Sequence, residues 1–280
     1  MNKFALLAIA TTGSAFIATP AMAQDEDQDQ EKPTVYGRIG TFFPTSETVL
    51  RIDDLDTQAP GTEIDFPNDL GFGRSSTIFE ADVGFNISDN WAIEFEYFSV
   101  DRSSTATLDR RIVVEGNVFD ANAQVTAGFE STLYHLRGLY RAADWDNGKG
   151  ELQLSLGLHA TDFRVTFEGE ASVNDLQTEF VTVDAAQIAP LPTIGARVSQ
   201  SLAPGISVFV QGEIFDLKVG DYDGRLVDGE LGVTWDFAPN VGIGGSWRVV
   251  DYSLQVTGDE LAGRIDYQLS GPAIFATFRF

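Results

Sequence analysis

The property that most restricts this chain is a two-residue alternation of apolar and polar side chains. It recurs in segments of roughly 10 residues, the length a tilted strand needs to cross a bilayer. Glu151 to Val165 is the clearest case: Leu152, Leu154, Leu156, Leu158 and Ala160 alternate with Gln153, Ser155, Gly157, His159 and Thr161. Thr77 to Ile87, Trp91 to Asp101 and Leu226 to Phe237 repeat the pattern, and weaker versions occupy about 34–43, 129–142, 190–202, 205–217, 240–252 and 262–280. That gives ten segments, or eight if the first and last weak ones pair outside the membrane. After residue 23 no apolar run reaches the ~18 residues of a spanning helix, and helical periodicity is absent.

Connections between the segments come in two lengths that alternate. Short ones fall at Ser88-Asp89-Asn90, Asp144 to Gly150, Ala203-Pro204-Gly205 and Ala238-Pro239-Asn240. Longer ones cover about 44–74, 102–128, 166–189, 218–224 and 253–261. In a meander this puts every tight turn, and both chain ends, on one side of the sheet, and every long loop on the other.

A soluble antiparallel sandwich also alternates. Two features point instead to a transmembrane antiparallel up-and-down β-barrel. Phe85, Trp91, Tyr140, Trp145, Trp235, Phe237, Phe278 and Phe280 gather beside the tight turns or the terminus, where amphipathic rings mark a headgroup boundary. Full charges also sit in mid-strand on the polar face, which a compact soluble core rarely tolerates. A barrel with apolar outside and polar inside accommodates both.

The start of the chain fits export. Residues 1–23 join Lys3, an apolar stretch from Phe4 to Ala10 and the small-residue ending Ala21-Met22-Ala23, the layout of a signal peptide. Residues 24–33 (QDEDQDQEKP) offer nothing to bury and read as an acidic periplasmic linker, leaving 34–280 as the barrel. Cysteine is absent, so neither a disulfide framework nor a Cys-built metal centre is available. With 42 acidic against 18 basic residues and a pI near 4.2, the field opposes nucleic acid.

The last segment, GPAIFATFRF (271–280), ends in Phe280, with Phe278, Ala276 and Ile274 at every second place before it. It resembles the C-terminal signal of Gram-negative outer-membrane proteins. With GTEIDFPNDLGF (61–72), ATLDRRI (106–112), SLGLHATDF (155–163) and GDYDG (220–224), nearly the whole mature chain resembles proteobacterial outer-membrane barrels of the OmpA-like and small porin-like kind. The resemblance implies residence in the cell outer membrane, contact with its lipid and lipopolysaccharide, and recognition by the barrel-assembly machinery through Ile274, Phe278 and Phe280. With Tyr267 and Leu269 read as outward above Ser270-Gly271-Pro272 and Ile274 as outward below, the apolar parity is expected to shift there through a bulge.

With the apolar parity facing lipid, the inward set includes Arg38, Glu80, Asp82, Glu94, Glu96, His135, Arg137, Gln153, His159, Arg197, Gln211, Glu213, Asp228, Glu230, Arg248 and Asp266. Among these, Arg38, Glu80, Glu94, Glu96, Arg137, Arg197, Glu213, Glu230 and Arg248 are expected to form a paired lumenal network. Trp91, Tyr140, Trp235 and Phe278 are expected to form the aromatic girdle. Paired charges hold such a lumen closed or narrow, and conduction through acidic excess would favour cations. The expected role is therefore structural or a narrow cation-preferring channel. The alternative is surface binding or adhesion through the loops at 44–74, 102–128 and 166–189. No enzyme is expected: His135 and His159 lack a nucleophile-and-base pattern and the acids form no dyad. No cofactor and no metal centre are expected, apart from divalent cation capture by loop acids such as Asp53, Asp54, Asp56, Glu63, Asp65, Asp221 and Asp223.

Overall fold

The structure, a computed structural model, describes residues 33–57, 59–173, 177–258 and 262–280. The expected signal peptide 1–23, and all of the 24–33 linker except Pro33, lie outside the described residues. The elements in chain order are β1 (Val35–Phe42), β2 (Thr45–Ile52), β3 (Ile64–Asp65), α1 (Phe66–Asp69), β4 (Ile78–Asn86), β5 (Trp91–Thr107), β6 (Ile112–Val114), β7 (Asn117–Phe119), β8 (Gln124–Trp145), β9 (Gly150–Val173), β10 (Gln177–Ala203), β11 (Ile206–Val219), β12 (Tyr222–Ala238), β13 (Val241–Thr257) and β14 (Ala262–Arg279).

Ten of these close a ring of antiparallel neighbours, β1-β4-β5-β8-β9-β10-β11-β12-β13-β14, shut by the pairing of β14 with β1. The ten expected segments are these ten strands, and because β1 and β14 pair inside the ring the count is ten rather than eight. Closure pairs the first strand of the ring with the last, so no strand ends the sheet, a condition for crossing a membrane with strands. It holds to the final residue, since Val35 and Phe280 exchange both backbone hydrogen bonds.

Outward-facing side chains form an apolar belt. On β9 it runs through Leu154, Leu156 and Leu158, and on β13 through Val241, Ile243, Trp247 and Val249, all exposed. Its tight-turn rim is aromatic: the rings of Trp91 and Tyr140 lie 4.9 Å apart and those of Trp235 and Phe237 6.0 Å apart. Six residues further along, Tyr97 faces Tyr134 across β5 and β8 with centroids 5.7 Å apart. Beyond that level the outer face of β5 turns to Ser99 and Asp101, and that of β8 to Thr132 and Glu130.

Past the belt the strands continue, and their polarity inverts. On β9 the outward residues become Asp162, Arg164, Glu168 and Glu170, while the inward ones become Phe163, Val165 and Phe167. Into this widened end folds the segment between β1 and β4. Ile64, Phe66, Leu70 and Phe72 bury themselves against Phe129, Phe163, Val250, Tyr252, Leu254, Ile265, Tyr267 and Leu269. The Phe129 ring lies 5.6 Å from Phe66 and 5.4 Å from Tyr267. The interior at this end is a packed apolar core, filled as a soluble domain is filled.

Four expectations are corrected here. The stretches 102–128 and 166–189 are largely strand: β5 extends to Thr107, β8 begins at Gln124, β9 reaches Val173 and β10 starts at Gln177. Their alternation was obscured because the apolar parity changes sides where lipid ends. The bulge at 270–272 is absent; β14 pairs with β13 without a register shift, and Tyr267 and Leu269 face inward. The irregularity lies across the seam instead, where Pro44 joins β1 to β2 alongside Gly271 and a Cβ on Gly271 would press on the Phe43 carbonyl. Asp266 belongs to the outer face and pairs with Arg264 at 2.8 Å.

The infolded segment is fixed by polar contacts. Asp65 caps α1 by accepting from the Asn68 amide at 3.0 Å, and Asp69 accepts two hydrogen bonds from Arg110, at 2.9 and 2.7 Å. The Arg110 hydrogen bond holds the Asp69 carboxyl below its ordinary value, despite the opposing push of partial burial. A depressed carboxyl contributes its full stabilisation above its unfolded-state value and loses it as pH falls through the lower folded value. Hydrogen-exchange protection of Leu70 and Phe72, whose amides donate to the Phe66 carbonyl, is therefore expected to drop only below the ordinary aspartate range. In Arg110→Gln the drop moves up toward that range; an unchanged profile would show that the pair does not anchor the turn.

Candidate functional site

Between the apolar core and the tight-turn end lies a layer of charged and polar side chains, each delivered by alternation to the inward face of its strand. They are Tyr36 and Arg38 on β1, Glu80 and Asp82 on β4, Glu94 and Glu96 on β5, His135 and Arg137 on β8, Arg197 on β10, Gln211 and Glu213 on β11, Asp228 and Glu230 on β12, and Arg248 on β13. All nine residues expected in the network are in it.

The contacts cross the bore. Arg38 grips Glu230 with both terminal nitrogens, at 2.6 and 3.0 Å, and Asp82 through Nε at 2.7 Å. Arg197 does the same with Glu94, at 2.7 and 2.8 Å, while its Nε donates to Gln211 at 2.9 Å. Gln211 in turn donates to Glu230 at 2.7 Å, and the Tyr36 hydroxyl donates to Glu94 at 2.8 Å. These paired forks are the strongest hydrogen bonds available to a carboxylate. Deeper in, Arg248 reaches Asp228 at 2.5 and 3.1 Å and Glu96 at 2.6 Å. Arg137 binds Glu96 closely and lies 3.5 Å from Glu213. Both arginines are almost fully buried, at 1% and 4% exposure.

Seven carboxyl groups meet four guanidinium groups here. Both Glu80 oxygens lack a hydrogen-bond partner, with Arg248 3.6 Å away. The upper boundary is sealed by the Phe98 ring, 5.5 Å from the Arg248 guanidinium carbon. Below Arg38 and Arg197 a cavity of about 380 Å³ opens toward the tight turns, bordered by Glu94, Gln153, Phe209 and Asp236.

The rings of His135 and His159 lie 5.5 Å apart, tilted by 60°, between the charges and the apolar core. The His135 Nε2 lies 3.0 Å from Glu213, which also accepts from Thr193 at 3.0 Å and Ser155 at 3.2 Å. Tyr36, Ser155 and Thr193 were missed from sequence, although their parity with Arg38, Gln153 and Arg197 could have drawn them in. A second signal is glycine: a Cβ on Gly157 would run into Thr193 and His135.

The girdle residues Trp91, Tyr140 and Trp235 lie on the outer face at the tight-turn rim, exposed. Phe278 packs its ring 6.4 Å from Phe280 in the same zone, and Ile274 faces outward in the belt. The loop acids are engaged locally. Asp53 binds Arg51 at 2.8 Å and the Gly61 amide at 2.9 Å, and Asp54 accepts from Thr57 and Asp56. Hydrogen bonding by the Thr57 hydroxyl lowers the Asp54 carboxyl below its usual value. Among the described residues no group of three His, Cys, Asp or Glu gathers as a metal centre.

No family model matches the chain, and no curated protein does. Solved outer-membrane barrels do match. The outer membrane protease OmpT of Escherichia coli is similar with a TM-score of 0.52 at 11% identity, covering 88% of this chain and 96% of that one. The translocator domain of the autotransporter NalP from Neisseria meningitidis gives 0.43 at 10% identity over 90% of both chains. The attachment invasion locus protein Ail of Yersinia pestis gives 0.34 at 9% identity, covering 89% of this chain and all of that one. At 11% identity the likeness to OmpT is one of fold: an antiparallel barrel of the outer-membrane type.

Proposed function

We propose that this chain is a closed outer-membrane barrel, braced across its bore by the arginine–carboxylate layer, that raises a rigid domain above the cell surface. The supporting observation is the stacking of two barriers: ion pairs that reach from wall to wall, and above them an apolar core that includes fully buried Phe42, Phe66, Phe119, Phe129 and Phe167. An ion crossing this interior would have to break the pairs and then traverse a dry hydrocarbon region, where unpaired charge is prohibitively costly. In this reading the structural role stands and the cation channel does not. The tight-turn end faces the periplasm, reached by export of the acidic precursor, and the widened end faces outward. Lipid and lipopolysaccharide cover the belt, and the assembly machinery recognises the strand ending in Phe280. The reading assigns no reaction, so His135 and His159 serve packing and hydrogen bonding.

Planar-bilayer recording on the refolded protein tests it: no current steps are expected. A steady cation-selective conductance would overturn the closed lumen and restore the channel.

Surface binding is the second reading, and the hairpin of β9 and β10 favours it. It stands well above the belt, paired as far as Val173 and Gln177, and presents Phe180 outward at 72% exposure.

A further inference from the structure

The barrel wall is split between β10 and β11. β10 and β11 pair over nine rungs, from Ala203↔Ile206 up to Ile194↔Ile214, and then stop. Beyond that rung β10 remains paired with β9 without interruption to Gln177, and β11 with β12 to Val219. Two strand edges therefore face each other unbonded, Thr193 and its successors toward the far end on one side and Phe215–Val219 on the other.

The sequence accounts for the split. Continuing the same register would set Pro192 against Asp216 and Pro190 against Lys218. Residues two apart direct their amides to the same neighbour. The β9 ladder is continuous through Pro190↔Ala160 and Pro192↔Leu158, so the two missing N–H groups are those that would have served β11. Two consecutive donors are absent from one edge, and proline is tolerated only where a ladder is not needed.

The position of the split is equally specific. Nine residues tilted by about 40° climb roughly 23 Å, close to the about 25 Å height of a lipid-facing band. On β10 the apolar outer face extends further than on its neighbours, through Pro192, Pro190 and the exposed Ile188, while β5 has already turned polar at Ser99. A cavity of about 680 Å³ occupies the place. Outward residues Leu136, Leu156, Leu158, Ile194 and Ile214 line it together with Gly157, Thr193 and Phe215 of the inward parity, so it reaches in between the two unpaired edges. Asp216 stands at its rim, and behind Thr193 lie the Glu213 carboxylate, which accepts from the Thr193 hydroxyl at 3.0 Å, and the His135 imidazole, 3.0 Å from Glu213.

The geometry points to a lateral binding slot between β10 and β11 that takes one acyl chain of an outer-leaflet lipid, seated by its headgroup-proximal part. Hydrocarbon is what surrounds the slot's mouth, its lining is apolar, and its volume lies in the about 300–1,000 Å³ range of small-ligand sites. Charged Asp216 and Lys218 at the upper rim sit where a headgroup lies, and the polar groups behind Thr193 limit how deep the chain can go. The assignment of the outer leaflet rests on the orientation proposed above.

The test is photolabelling of the intact barrel in phosphatidylcholine vesicles in which a fraction of the lipid carries a diazirine on the upper part of an acyl chain, with adducts mapped by peptide mass spectrometry. Elsewhere in the belt only outward positions should be labelled, whereas at the slot the inward residues Thr193 and Phe215 should be labelled along with outward Ile194 and Ile214. In Pro190→Val/Pro192→Val, which restores both donors, the inward adducts should be lost and the outward ones kept. Unlabelled Thr193 and Phe215 beside labelled Ile194 and Ile214 in the native barrel would overturn the slot. Absence of adducts at Ile194 and Ile214 as well would instead overturn the membrane placement on which it rests. Should the double variant fail to fold, the native comparison alone decides.

Discussion

Replacing Arg248 by methionine is expected to cost the barrel about 3–5 kcal/mol, the usual penalty for removing one partner of a buried ion pair. The side chain is 1% exposed and answers Asp228, Glu96 and Glu80 together, so its loss takes a buried cation from three carboxylates, of which Glu96 alone keeps Arg137 close by. Arg248→Lys should recover only part, because an ammonium keeps the charge but not the planar fork that holds Asp228 at two points. Adding Asp228→Asn to the methionine variant should also recover part by removing one stranded charge. Arg264→Ala, which breaks an exposed pair on the outer face, sets the reference at about 0–1 kcal/mol. Urea unfolding in lipid vesicles, followed by tryptophan emission, measures all four. A loss near the reference for Arg248→Met would mean that water reaches the layer.

The second large effect is expected from Phe129→Ala, again about 3–5 kcal/mol for truncating a fully buried ring. Phe129 touches Phe66 from the infolded segment, Phe163 from β9 and Tyr267 from β14, and so links three separate stretches of chain. Phe79→Ala offers the contrast, because that ring is exposed on the lipid side and its removal leaves no internal void. Hydrogen exchange should show the Phe129 variant loosening the widened end first, with the belt strands protected longer. Equal costs for the two phenylalanines would mean that the widened end is not a packed core.

Both predictions concern the interior, where sequence and structure part company in an instructive way. Within the belt the solvent is lipid outside and a polar bore inside, so period-two alternation has one sign. Arg38, Glu94 and Arg248 could be assigned inward from their neighbours alone. Above the belt the outside is water, and the same period carries the opposite sign: Phe163 and Val165 are inward although Leu154 and Leu156 on the same strand are outward. A reading that kept one sign throughout placed Tyr267 and Leu269 on the wrong face and needed a bulge to explain Ile274. It also took the upper halves of β9 and β10 for loop, since their charges looked like solvated connection rather than the wet face of a strand. The infolded segment was illegible for another reason. Ile64, Phe66, Leu70 and Phe72 lie among Asp, Gly and Pro, without periodicity, and only the cavity formed by ten other strands makes them core.

The seam between the first and last strands has a kinetic consequence. β14 is matched by seven residues of β1 and by eight of β2, continuing in one register past Pro44. These partners come from opposite ends of the chain, so they are the costliest of all pairings in loop entropy and contribute most to contact order. The cylinder cannot shut until its final residues have arrived, and once shut it can release the first ribbon only by unzipping every rung of that join. Slow maturation and slow unfolding thus have a common origin in where the first and last strands meet.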